Sequence, residues 1–266
     1  MTTAELVAGT ARLREMIGLR HDPLAFFYTD EEPAGYQPPG GTRVCLFGIL
    51  GRARRGETVY FDQDTIGCPG GGYYLGFCEA RPEIDLFVST GVPGKMPGEH
   101  YKQSPELVRA FRERHRPQPA PGRYAVFMPV SSLGPEQTPQ VILCFAGPDE
   151  LAGLVGLANY AREEDAVSLP FGSGCGTTIS RALEEADQPL PHGFVGLLDP
   201  SARPYIQADE LGFSAPLALW EEMLGNAEES FLQTKSWAVL CRRIARSAEG
   251  ADLQIEEGNA ASPGES

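Results

Sequence analysis

The chain has 266 residues, 42% hydrophobic and 22% charged, enough for one large domain or two small ones whose core needs neither disulfides nor metal as a staple. Glycine (31) and proline (23) together make about a fifth of it, which points to a loop-rich globular protein and excludes a low-complexity chain. The net charge of −14 sets up a field that repels phosphate backbones and anionic surfaces, so no nucleic-acid and no membrane partner is expected. The opening MTTAELVAGTARLREM reads as an amphipathic helix and not as a basic, apolar leader, and no run of apolar residues is long enough to span a bilayer. A cytoplasmic location is the expectation. In a reducing compartment Cys45, Cys68, Cys78, Cys144, Cys175 and Cys241 should stay unpaired, each as core filler, metal ligand or reactive thiol.

Thr2 and Glu5 form a capping box for a helix over 3–18, with Leu6, Leu13, Met16 and Ile17 at helical period. Pro23 breaks it, and 24–28 reads as a buried strand before a Gly/Pro-punctuated loop. VCLFGILGRARR (44–55) predicts a helix with a basic last turn, and 58–61 a strand. GCPGGGYYLGF (67–77) then enters a helix with Pro69 in its first turn, and IDLFVS (84–89) predicts a further strand. The loop 91–103 leads to a helix capped at Ser104 and ending near residue 115, and RPQPAPG (116–122) reads as a linker. Strands follow over 124–130, 140–146, 167–171 and 193–199, with a helix opening at Pro148. GSGCGTTISRALEEA sets a second glycine-flanked cysteine at a strand-to-helix turn, and two helices close the chain. The last residues, 248–266, are acidic and predict a disordered tail.

The fold class is therefore α/β: two similar halves, 1–118 and 119–247, with mixed or parallel sheets and a helical C-terminal segment. The order of elements over 24–89 resembles that over 140–199, with Cys68 and Cys175 at equivalent positions. Either this is a pseudo-twofold repeat, or two unrelated strand–Gly–helix turns each hold a cysteine.

Helix starts carry the candidate chemistry. Unpaired amide groups there favour thiolate, the form that binds metal or attacks carbon. Cys45, Cys68 and Cys175 are all predicted at such starts, so they are the candidate metal ligands, for an iron-sulfur cluster or, alternatively, zinc. Their spacings, 23 and 107 residues, match no short metal motif. Gly70, Gly71, Gly174 and Gly176 would let backbone approach a ligand closely. Cys144 and Cys241 read as core filler, with Cys78 left open. Strand polarity puts His21 and His192 on the far edge of the sheet and His115 at a helix C-terminus. His100 and Lys95 lie in the loop on the cysteine edge, a candidate lid over a small anionic ligand or an ordinary solvated loop. Asp199 and Arg203 bind substrate or make a turn. No P-loop, HExxH or GxSxG is present.

CLFGILGRARRGETVYFDQDTIGCPGGGYYLGF, FGSGCGTTISRAL, GFVGLLDPSARPYI and SFLQTKSW together resemble the bacterial and archaeal family DUF169, over about residues 5–245. The family brings no assigned activity, but the resemblance implies cysteines matching Cys45, Cys68 and Cys175. Three readings result: a metal centre on these thiols with a small-molecule ligand, a metal-free cysteine-dependent enzyme, or a small-molecule-binding module. Sulfur separations of about 6–7 Å would fit a cubane cluster and under about 4 Å a zinc site.

Overall fold

The computed structural model describes residues 1–250. Helix α1 (Thr3–Ile17) has the expected capping box of Thr2 and Glu5 and ends at Gly18 in the left-handed region (φ 84°). Then come β1 (Leu24–Thr29), α2 (Leu46–Arg54), β2 (Val59–Phe61), α3 (Pro69–Tyr74), α4 (Ile84–Val88), α5 (Pro105–Arg114), β3 (Tyr124–Pro129), β4 (Val141–Ala146), α6 (Pro148–Ala158) and β5 (Val167–Ser168). A π-helical turn (Gly176–Ser180) runs into α7 (Arg181–Glu185), followed by β6 (Gly193–Gly196), β7 (Leu211–Pro216), α8 (Leu217–Asn226) and α9 (Lys235–Gly250).

All seven strands join one sheet in the order β2-β3-β1-β4-β7-β6-β5, antiparallel except for the parallel β5–β6 pair. Strand β1 pairs with β3 from Leu24↔Pro129 to Thr29↔Tyr124, and with β4 on its other side. Because strand side chains alternate, Ala25 and Phe27 enter one core layer and Leu24 and Phe26 the other. Both layers are covered, which is why VILCFA in β4 is buried throughout. Leu13, Ile17, Leu154, Trp220 and Trp237 pack one face; Phe47, Leu50, Cys175, Ile179 and Phe194 belong to the other. Each such fully buried aliphatic or aromatic side chain contributes about 2 kcal/mol.

Several expectations change. The mixed α/β class and the helical C-terminal segment hold, but a pseudo-repeat is not confirmed. Strands from both proposed halves share the sheet, with β1 lying between β3 and β4. IDLFVS is helix α4 and not a strand: Asp85 on this turn receives Arg112 at 2.5 Å and Arg109 at 3.4 Å, which ties it to α5. The strand expected over 167–171 shrinks to two residues. The stretch 116–122 is no free linker, since Ala120 donates to the carbonyl of Gly76 at 3.0 Å. The predicted acidic tail lies outside the described residues from 251 onward. Among the described residues no helix is long and apolar enough to cross a membrane.

Candidate thiol site and cavity

Two helix starts and one helical turn bring Cys45, Cys68 and Cys175 together. Cys45 is the N-cap of α2 through its carbonyl, which accepts the Gly48 amide at 3.0 Å, and it makes no side-chain cap hydrogen bond. Cys68 is the N-cap of α3, where Pro69 supplies the preset φ of a first turn. Its sulfur accepts the Gly71 amide at 3.3 Å. Cys175 lies in the helical turn leading into Gly176–Ser180 and is buried. A β-carbon on Gly174 would stand 2.8 Å from both Phe47 and Leu197, so only glycine lets this turn settle against α2.

Cys68 is the thiol on which the other two act: its neighbours Cys175 and Cys45 both favour its ionised form. These two thiol donors and the amides outweigh burial and hold Cys68 well below the ordinary thiol range. The same contacts, together with burial, push Cys45 and Cys175 upward. Among the described residues, no group of three or more His, Cys, Asp and Glu is arranged to hold an ion.

All three thiols line a cavity of about 880 Å³. Its walls are aromatic, from Tyr73 and Tyr74 of α3, Phe111 of α5, and the Tyr101–Phe171 pair, whose rings meet edge-on at 6.2 Å. Phe87 and Phe171 are 40% and 42% exposed, so apolar rings of this cavity face solvent. Asp199 lines it too, buried, accepting from the Gly174 amide (3.3 Å) and from the amide and hydroxyl of Ser201 (2.9 Å each). This carboxylate fixes the turn that carries Cys175. Burial and the nearby Asp199 push Tyr101 up to about 12.

Of the expected ligand-binding residues, Gly70 and Gly174 line the cavity, whereas Gly71, Gly176, Lys95 and His100 do not. Gly71 donates its amide to Cys68 from behind, and Gly176 lies against the Tyr74 ring. Lys95 sits on an exposed turn closed by the Val92–Met96 bridge. His100 is exposed with a positive φ of 54°, and it is the next two residues, Tyr101 and Lys102, that reach the cavity. Elsewhere, His192 pairs with Glu185 (3.0 Å), His21 with Glu210 (3.2 Å), and Arg203 binds the carbonyls of residues 207, 208 and 210. Cys144 is buried in the core as expected; Cys241 is half-buried, with its thiol 3.4 Å from the Met16 carbonyl, and Cys78 is exposed. The aromatic walls had no sequence signal of their own, because Tyr73, Phe111 and Phe171 belong to three separate segments.

Compared with known families, residues 12–226 match the profile of DUF169, described as uncharacterised ArCR. No curated protein and no solved structure gives a significant match.

Proposed function

Within DUF169, the family to which this chain belongs, we propose that the protein binds a soft metal centre through Cys45, Cys68 and Cys175 and takes a small molecule in the adjoining cavity. One observation carries this reading: three cysteines separated by 23 and 107 residues line one cavity. Thiolate is the soft ligand that selects zinc, copper(I) and iron–sulfur centres. Cys45, Cys68 and Cys175 would hold the cation as thiolates, its binding displacing their remaining thiol protons. A single ion would need the sulfurs about 3.8 Å apart, the spacing that Zn–S bonds of about 2.3 Å set in a tetrahedron. An iron–sulfur cluster spreads its cysteines over separate irons and needs them farther apart. The cavity leaves the fourth position to a small molecule, where the ion supplies Lewis-acid polarisation. A nucleophilic reading is less well supported: among the described residues no histidine lines the cavity, and a thiol whose pKa is held low by its donors is a poorer nucleophile.

The test is anaerobic purification followed by reconstitution with zinc, with cobalt(II) as a coloured reporter, and with iron plus sulfide. About one ion per chain with thiolate-to-cobalt absorption, lost in Cys68→Ser and Cys175→Ser, is the expected result. Iron and inorganic sulfide retained in equal amounts would replace the ion by a cluster on the same thiols. A protein that takes up none of these, or takes them up equally without the three cysteines, removes the proposal.

A further inference from the structure

We infer that the occupant of the cavity is an aromatic organic acid, its rings between Tyr73, Phe111 and Phe171 and its acidic group on the ammonium of Lys102. This deepens the small-molecule half of the proposed function and does not depend on the metal. The volume, about 880 Å³, lies in the upper part of the range that drug-sized ligands fill, and the walls are rings contributed by six separate parts of the chain. Phe87 and Phe171 leave large apolar surface in water at this cavity, surface that a flat ligand would cover.

Charge then selects the kind of molecule. Lining cations are Arg81, Lys102 and Arg112; lining acids are Glu83, Glu99 and Asp199, with Cys68, held below the ordinary thiol range, on the wall formed by the three thiols. Arg81, Glu83 and Glu99 are exposed, so solvent screens them. Arg112 is committed to Asp85, and Asp199 is saturated by its three donors. Lys102 differs from all of these. It is half-buried, its ammonium lies 5.7 Å above the centre of the Phe111 ring, and among the described residues no carboxylate lies within 4.0 Å of it. In a chain of net charge −14, a lysine without an acidic partner beside aromatic walls is positioned for an anion carried by a ring system.

Two dyes with one ring skeleton test this on the metal-free full-length protein: 8-anilinonaphthalene-1-sulfonate and uncharged N-phenyl-1-naphthylamine, titrated by fluorescence. The expected result is one site per chain with the sulfonate binding about tenfold tighter, the value of a hydrogen bond to a charged group. Lys102→Gln should bring the two dyes within about twofold of each other without weakening the neutral one. Lys95→Gln, outside the cavity, should leave the tenfold preference intact, and Phe171→Ala should weaken both dyes alike. Absence of a stoichiometric site, a sulfonate preference that survives Lys102→Gln, or its equal loss in Lys95→Gln overturns the inference. A stoichiometric dye site in protein that takes up no metal, or metal uptake in protein without a dye site, tells failure of the metal reading and failure of this one apart.

Discussion

The carbonyl oxygen of Thr42 fills the space where a side chain on Gly67 would begin: a β-carbon there would lie 1.4 Å from that oxygen. The two residues lie just before Cys45 and Cys68, so this backbone contact presses together the loops that deliver the two thiols. No rotamer change relieves it, because both partners are main chain.

Gly67→Ala should therefore cost about 3 kcal/mol, the upper end for overpacking, and separate Cys45 from Cys68. Urea denaturation reads the first effect and cobalt uptake the second. A variant within about 0.5 kcal/mol of the parent would show that the loops part easily.

Glu210 is buried between Arg54, at 2.7 and 2.8 Å, and His21, at 3.2 Å. Burial raises its pKa, but His21 and Arg54 outweigh it and the carboxyl titrates below its ordinary value. A depressed carboxylate contributes stability that is full above the unfolded pKa, about 4.3, and is lost as pH falls from there through the folded value. Glu210→Gln should destabilise by about 3 kcal/mol at pH 7, because it leaves the Arg54 charge buried and unpaired. The gap to the parent should narrow progressively below about pH 4.5. A gap that is constant from pH 7 to pH 3 would contradict this account.

If the protein binds metal as proposed, uptake should release two protons, from Cys45 and Cys175, whose thiols are pushed upward, because the donors around Cys68 hold it well below the ordinary thiol range. The logarithm of zinc affinity should then rise by about 2 for each unit of pH between roughly 6 and 8. Chelator competition measures the slope. A slope near 3 would mean that Cys68 is a thiol like the others.

Cys144→Ser separates packing from chemistry. Its side chain is buried in β4, opposite Phe213 of β7, and a hydroxyl there has to find a partner or go without. The substitution should cost about 1–2 kcal/mol while leaving metal stoichiometry unchanged. Loss of metal on Cys144→Ser alone would mean that the wrong thiols have been chosen.

The cysteine trio was legible because the argument for it is local: Pro69 marks a first helical turn, and glycines flank Cys68 and Cys175. The single sheet was not, because insertion of β1 between β3 and β4 is a pairing across about a hundred residues that leaves no periodic trace. IDLFVS has the composition of a strand, but the polar anchor that makes it helical, Asp85 against Arg109 and Arg112, lies 24 and 27 residues away in sequence. Of the loop 91–103, Tyr101 and Lys102 line the cavity and Lys95 and His100 do not. His100 has a positive φ of 54°, and nothing in the residue type announces that conformation.

The convergence of Cys45, Cys68 and Cys175 also bears on how the chain survives. An ion held by all three would join α2, α3 and the turn before α7, closing loops of 23 and 107 residues across both ends of the sheet. Closing long loops removes far more freedom from the unfolded chain than from the folded one. Loaded protein would then resist proteolysis well beyond its empty form, and starving the cell of the metal would shorten the life of the protein as well as silence its site.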